Sequence, residues 1–483
     1  MSRRIIGPFN RVEGDLEITL ETTNDKIDSA HVTAPMFRGF EHILQGRPMM
    51  DALSINPRIC GICSVSQSVA TATALRDALG LSATLNGQLG TNLVHATENL
   101  ADHLTHFYLF FMPDFTRDVY ADKPWFDAST TRFAAKTGAG AKAVLAARAR
   151  LLHITGILAG KWPHTLAIQP GGLTQSPDDG ACMRIKSVLA DTRDFLQDHL
   201  FGQPLEQISS MKDRQALDKA IDVALSAGAD FGRFGQIARD LDLESQGLGY
   251  ANFMSFGAYQ FDQGPAFSAG RVVNGKPLAL NSNEFTEDVA NSWYAGEALH
   301  PAQGQTIVNA DRQGAYSWSK APRVAGNPVE VGAVARQVVA GHPLVMDLVG
   351  AGGANVFSRI IARMVESARI VVLMEDWMQN LEPLAPICSD TPIDPDQCGT
   401  GVGLVEAARG SLGHWLNLEN GRIQSYQIVA PTTWNFSPRD GVGLPGAVEY
   451  ALQGTVLVDD DKAAAMVQHV VRSFDPCMAC TVH

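Results

Sequence analysis

The sequence predicts an α+β fold that is mainly α-helical, with antiparallel strands at the N-terminus, long helices at the centre and an irregular α/β periphery. Three observations predict it. Residues 4–36 alternate apolar and polar side chains across Leu16, Ile18 and Leu20, turn at Asn24-Asp25 and resume through Ile27 and Val32. Residues 90–112, 140–160, 180–201 and 355–381 read as helices, with apolar residues recurring at three and four in the first of them. Between 203 and 330, aromatics, glycines and prolines are scattered among short strand-like pieces such as 249–261 and 270–280.

Taken in order, the N-terminal strands form a hairpin or small sheet. Short helices follow around Phe40–Gln45 and Met50–Ile55, with Pro57 breaking the pattern. Ser64 or Ser66 caps a helix that runs to Gly80. Gly160 ends the helix at 140–160, and loop chemistry fills Pro163–Gly172. Residues 328–341 are helical, 421–431 form a strand, and a helix at 462–474 leads into the chain end. The glycine-rich stretch 348–355 matches neither a dinucleotide nor a P-loop spacing. The expected organisation is one interlocked unit over 1–483: strands and short helices to 60, a helical core over 61–202, an irregular region over 203–330, and helices, a strand and a buried C-terminus over 331–483.

Composition narrows the function. The chain of 483 residues carries 38 basic and 51 acidic residues, a formal charge of −13, which argues against a nucleic-acid partner. There is no apolar run long enough to span a membrane and no signal-peptide pattern behind Arg3-Arg4, so a cytoplasmic location is expected. Seven cysteines in such a chain do not make a disulfide framework. Cys182, Cys388 and Cys398 have no partner spacing and read as inert thiols.

The other four form two CxxC pairs, Cys60/Cys63 and Cys477/Cys480, the second followed three residues on by the terminal His483. A structural zinc ribbon takes both pairs from within about twenty residues, whereas these lie at opposite ends of the chain. Two unrelated pairs are a second reading. The third is a redox metal centre clamped between the ends of the fold, since soft thiolates suit nickel, iron and copper as well as zinc.

The residues around these cysteines decide. RICGIC at 58–63, DPCMACTVH at 475–483 and RVEGD at 11–15 together resemble the large subunit of [NiFe] hydrogenases. RGFE at 38–41, DHLTHFY at 102–108, GKWPH at 160–164 with PGG at 170–172, EAARGSLGHW at 406–415 and APTTWNFSPRD at 430–440 extend the resemblance in family order over nearly the whole chain. It implies the [NiFe]-hydrogenase large-subunit fold, built on a central bundle of long helices. It also implies a nickel–iron centre with Cys60 and Cys477 as terminal nickel ligands, Cys63 and Cys480 bridging, and carbon monoxide and cyanide on the iron. Heterolytic H2 cleavage needs an acceptor for the hydride and a base for the proton. By resemblance Glu13 transfers that proton, Arg409 lies over the open metal position, and Asp102 and Asp475 surround the site and pair with the arginine. The family usually has proline where this chain has Ala408. His483, Glu41 and a backbone carbonyl near Val429 are implied ligands of a magnesium ion. His103, His106 and His164 are assigned to packing or support.

Two features refine the resemblance. Many family members carry an extension beyond the final histidine; this sequence ends at His483, as in a matured product or in regulatory members. Ile62 and Phe110 stand where valine and leucine are usual at the inner end of the gas channel, as in sensor-type members. The resemblance therefore implies a hydrogen-sensing hydrogenase of low turnover that tolerates O2. The alternatives are a cytoplasmic uptake hydrogenase and a metal-free structural or assembly relative. No further cysteine cluster is present to hold an iron–sulfur cluster. An iron–sulfur small subunit is therefore the expected partner, in a heterodimer or a dimer of heterodimers, and a histidine kinase is the expected recipient of the signal.

Overall fold

A computed structural model describes residues 2–457 and 460–483. Helix accounts for 46% of the structure and strand for 17%, so the mainly helical expectation holds. Strands β1 (Ser2–Ile6), β2 (Glu17–Thr23) and β3 (Lys26–Thr33) form an antiparallel sheet in that order. Asn24 and Asp25 make the β2–β3 turn with φ of 50° and 57°, a region these short polar side chains tolerate. Ile18, Leu20, Ile27, Ala30 and Val32 are buried from this sheet.

Helix α1 (Ser64–Ala78) begins directly after Cys63. Neither Ser64 nor Ser66 caps it. Cys63 occupies the cap position without a side-chain bond, and the first N–H groups turn to a carboxylate from another helix. Val65 N and Ser66 N each donate at 2.8 Å to Glu98 of α2 (Leu85–Thr105). α2 does not continue to 112: a π turn spans His106–Phe111, and a 3-10 turn containing Pro113 spans Met112–Thr116. Pro57 likewise does not break the chain but lies in the first turn of a 3-10 segment at Asn56–Ile59. The stretch 140–160 is two helices, Ala139–Leu151 and His153–Ala159, closed by Gly160 at φ 75°. The 25-residue α4 (Val356–Asn380), which opens on a capping box at Asn355 and Ser358, packs on both α2 and α3 (Asp179–Phe195) and completes the central bundle.

The irregular region is shorter than expected. Residues 205–240 hold three helices: Leu205–Ser209, Arg214–Ser226 and Asp230–Asp240. Glycines here serve packing, not turns. A Cβ on Gly232 would lie 2.0 Å from Leu225 N, and one on Gly235 2.2 Å from the Ile221 side chain, so the last two helices approach through glycine. A hairpin was also hidden by glycine. β4 (Gly399–Ala407), β5 (Gly410–Glu419) and β6 (Arg422–Val429) form an antiparallel sheet, of which only β6 was predicted. Cβ atoms on Gly401 and Gly403 would meet Ala74 O at 2.0 Å and Ala70 O at 2.1 Å, so the sheet lies directly on α1.

α5 (Asp460–Ser473) delivers the chain end to this core, where α6 (Met478–Thr481) forms a single turn. The tail is pinned from several sides. Glu13 and Cys477 form a parallel bridge, and Met478 N donates to Glu13 O at 2.7 Å. Arg38 donates to Ile59 O at 2.6 Å and also to Ala479 O, tying the two cysteine loops together. Cys477 N donates to Thr432 Oγ1 at 3.1 Å, and Thr433 Oγ1 donates to Thr481 O at 3.3 Å.

Gly14 makes this approach possible. It has φ 79°, and a Cβ there would lie 2.9 Å from Ala479 N. Gly14→Ala adds left-handed strain and a backbone collision, an expected loss of about 1–3 kcal/mol. It should lower the unfolding midpoint and let carboxypeptidase remove the tail faster; unchanged trimming would contradict the pinning role.

Candidate metal centre

The four thiols arrive from two loop-to-helix junctions. Cys60 ends the 3-10 segment in extended conformation and Cys63 caps α1, while Cys477 caps α6 and Cys480 lies within it. All four are buried and none is in a disulfide. Their sulfurs lie 3.5 Å apart for Cys60–Cys477 and 3.0 Å apart for both Cys63–Cys480 and Cys477–Cys480. A disulfide needs about 2.05 Å. A single tetrahedral zinc with four sulfurs at about 2.3 Å would hold every pair near about 3.8 Å. Two separations of 3.0 Å are too short for that, and one of them joins Cys63 and Cys480, the two thiols that the resemblance implies would be shared between nickel and iron. Cys60 is held well below the usual thiol range by hydrogen bonding from Cys477, Cys480 and Cys63, whereas Cys63 and Cys480 are pushed well above it, first by bonding to Cys477. Four buried thiols so close together would suit a soft cation, to which they bind as thiolates.

Above the tetrad Arg409 leaves the β4–β5 turn. Its Nη1 and Nη2 donate to the two oxygens of Asp102 at 2.6 and 3.1 Å, its Nη2 to Asp475 Oδ1 at 3.1 Å, and its Nε to Asp475 O at 3.0 Å. All three residues are buried. Burial opposes the charge on Arg409, but Asp102 and Asp475 hold its proton well above the ordinary range. The carboxylates divide. Burial pushes Asp102 up to about 7 despite Arg409, with Asp475 and Glu98 adding to the rise. Asp475 outweighs its own burial through Arg409 first and then His106, and falls below the usual range. Asp475 Oδ2 is buried with no hydrogen-bond partner among the described residues. Glu13, half-buried, is raised by burial and then by the Cys60 thiolate, against Arg409 and Arg38.

A second donor set lies beneath. His483 Nδ1 contacts Cys480 O at 2.9 Å, and its Nε2 lies 2.7 Å from Ile428 O and 3.6 Å from Glu41 Oε1. The expected carbonyl, Val429, is corrected to Ile428. β6 is an edge strand, and successive residues present their N–H and C=O to opposite sides. Ile428 N donates to Glu41 Oε1 at 2.9 Å and Ile428 O faces His483, so residue 428 points to the free edge and Val429 points back to β5. Lys320 Nζ lies 3.6 Å from Glu41 and 3.4 Å from Glu287, whose Oε1 has no hydrogen-bond partner among the described residues. Burial raises Glu41, but Lys320 and His483 bring it down to about 2. Two buried carboxylates, one orphaned oxygen, a carbonyl and an imidazole fit a hard divalent cation.

Of the remaining expected residues, Ile62 donates its N–H to Cys60 Sγ at 3.3 Å and borders the tetrad. Phe110 lies half-buried in the π turn, where its carbonyl accepts from Arg11 Nη1 at 3.3 Å. The histidines do supporting work: His103 meets Glu366 at 3.0 Å, His106 meets Arg472 O at 2.6 Å, and His164 meets Pro57 O at 2.9 Å.

Sequence reasoning missed two supports. Glu98 takes the N-terminus of α1 behind Cys63 and accepts from Trp162 Nε1 at 3.0 Å. Arg336 holds the backbone just before Arg409, donating to Ala407 O at 2.7 Å and Ala408 O at 2.9 Å while paired with Glu366 and Glu406. An arginine amid the apolar run 328–341 was the available signal.

The chain has relatives throughout its length. The family model for nickel-dependent hydrogenase matches residues 38–140 and 141–483. The periplasmic [NiFeSe] hydrogenase large subunit of Desulfomicrobium baculatum is 31% identical over 99% of this chain and 94% of its own length. The uptake hydrogenase large subunit of Azotobacter chroococcum is 28% identical over 100% and 95%. The reduced [NiFeSe] hydrogenase of Desulfovibrio vulgaris Hildenborough superposes with a TM-score of 0.82 at 30% identity, over 100% of both chains.

Arg336→Met leaves Glu366 and Glu406 buried without their cation, an expected cost of about 3–5 kcal/mol in urea unfolding. A loss under about 1 kcal/mol would show that the clamp is not structural.

Proposed function

Because this chain belongs to the nickel-dependent hydrogenase family, we propose that it is the large subunit of a hydrogen-sensing hydrogenase, working in the cytoplasm with an iron–sulfur small subunit and a signalling kinase. That it is a hydrogenase subunit follows from the family. The observation that carries the chemistry is the tetrad, four buried sulfurs from the two ends of the chain with contacts of 3.0–3.5 Å. A nickel–iron pair held by these sulfurs, with carbon monoxide and cyanide on the iron, would supply the acceptor for the hydride when H2 is cleaved heterolytically, and would then pass its two electrons to the small subunit. The chain's own residues do the rest. Glu13, its carboxyl raised by burial and by Cys60, takes the proton at its carboxylate oxygen and passes it outward. Arg409, fixed by Asp102 and Asp475, presents a cation over the tetrad and polarises what binds there. Glu41, Ile428 O and His483 hold magnesium, which fixes the tail that bears Cys477 and Cys480.

The sensing role rests on Ile62 and Phe110, bulkier than the valine and leucine usual at the inner channel. A narrower passage slows O2 more than the smaller H2. The second reading is an uptake enzyme, the type for which the Azotobacter chroococcum relative is named.

Infrared spectra of the purified complex should show bands of iron-bound carbon monoxide and cyanide, and Cys477→Ser should lose nickel while largely keeping its fold. Zinc in place of nickel, without those bands, would overturn the assignment. The pair Ile62→Val/Phe110→Leu is expected to convert slow, O2-insensitive H2 oxidation into faster oxidation that air inactivates; wild-type enzyme already fast and O2-sensitive would favour the uptake reading.

A further inference from the structure

An unassigned cationic pocket lies where the N-terminal loop meets α5 and the segment after the π turn. It has a volume of 330 Å³ and is lined by residues 6–11 with Arg117 and Gln468. Three arginines converge on it or directly behind it, with one carboxylate among them. Asp114 accepts from Arg472 Nη1 at 2.8 and 2.6 Å and also from Arg11 Nη2. Arg117 donates to Gln468 Oε1 at 3.0 Å, an atom that Arg472 also reaches at 2.8 Å, and has no carboxylate partner among the described residues. Arg472 Nη2 is used on Asn10, at 2.7 and 2.9 Å. The neighbouring acids Glu17 and Asp118 form no ion pair with the three arginines among the described residues. His469, pushed down to about 4 by burial, is neutral and adds no charge. Among the groups that bond one another there, the balance is three positive charges against one negative, with the exposed Glu17 at the rim beside Gly7, in a chain whose formal charge is −13.

Uncompensated guanidinium charge beside a pocket of this size favours an oxyanion, which arginine binds through paired N–H donors. We propose that this pocket is an oxyanion socket that takes a carboxylate or phosphate group, supplied by an acidic side chain of the small subunit or by a free small anion. Its position gives it access to the metal centre. Arg11 is two residues before Glu13, and Arg472 is five residues before Cys477 and holds Asp475 N on its carbonyl at 3.0 Å. An occupant therefore braces both segments that close the tetrad. The socket rests on charge and geometry, and only the small-subunit source rests on the functional reading.

Arg117→Gln and Arg117→Glu, made in the assembled holoenzyme, separate the sources, with inorganic phosphate as the probe. For a free anion, 10-fold more phosphate at constant ionic strength raises the unfolding midpoint of the wild type and not that of Arg117→Gln. For a small-subunit carboxylate, phosphate shifts neither, and Arg117→Glu weakens subunit association at least 10-fold, with a smaller salt dependence than the wild type. No phosphate shift together with unchanged subunit association in both variants would overturn the socket. A phosphate shift that survives in Arg117→Gln would do the same.

Discussion

The whole site depends on burying a chain end. Termini normally fray because ordering each residue costs roughly 1–2 kcal/mol of backbone entropy. Here Asp475, Cys477, Met478, Cys480, Thr481, Val482 and His483 are all buried. Most of the anchors are backbone to backbone or side chain to backbone: Glu13 O, Thr432 Oγ1, the Arg38 guanidinium and the free edge of β6 at Ile428. This choice has a physical reason. The side chains of Cys477 and Cys480 must stay free for metal, so the tail is held by its main chain. Metal bound by both cysteine pairs would then add its own binding energy to folding, as metals do when no preformed site exists in the unfolded chain.

Buried arginines organise the surroundings. Arg336, Arg359, Arg409 and Arg472 are each almost wholly buried, and each meets a buried carboxylate. Pairs of this kind contribute little net stability against apolar substitutes, but breaking one is expensive. Their value here is positional. Arg336 bridges α4 to the β4–β5 turn, Arg409 bridges α2 to the tail, and Arg472 bridges α5 to the turn after the π segment. A guanidinium offers several donors in a fixed plane, so each pairing sets direction as well as distance.

What was legible in the sequence follows from this division. The four clustered cysteines were readable from their CxxC spacing, whereas Glu13, Arg409 and the two aspartates were placed only by the family resemblance of the motifs around them. The fold's long helices and first sheet were readable from periodicity. Three kinds of feature were not. Glycines at 232, 235, 401 and 403 look like turn signals but are contact points where a backbone approaches another. Backbone ligands carry no residue signature, and a slip of one residue along β6 reverses which side a carbonyl faces, which is how Val429 stood for Ile428. Tertiary capping was also hidden. α1 lacks a local cap because a carboxylate from α2 replaces it, a contact 33 residues away in sequence for Val65.

The carboxylates around Arg409 show how one guanidinium serves two needs. Were Asp102 and Asp475 both ionised at full strength, the arginine would be overcompensated and its field at the tetrad cancelled. Instead burial and mutual repulsion lift Asp102 to about 7, while Asp475 stays ionised. The Asp102 carboxyl is thus less readily ionised than that of Asp475, and its two oxygens take Nη1 and Nη2 together, which fixes the plane of the guanidinium. Neighbouring acids driven apart in pKa commonly mark a division of roles. Here Asp475 supplies the permanent countercharge and Asp102 the alignment. Glu13 lies outside the pair, and its carboxyl is raised by its own burial and by Cys60, against Arg409 and Arg38.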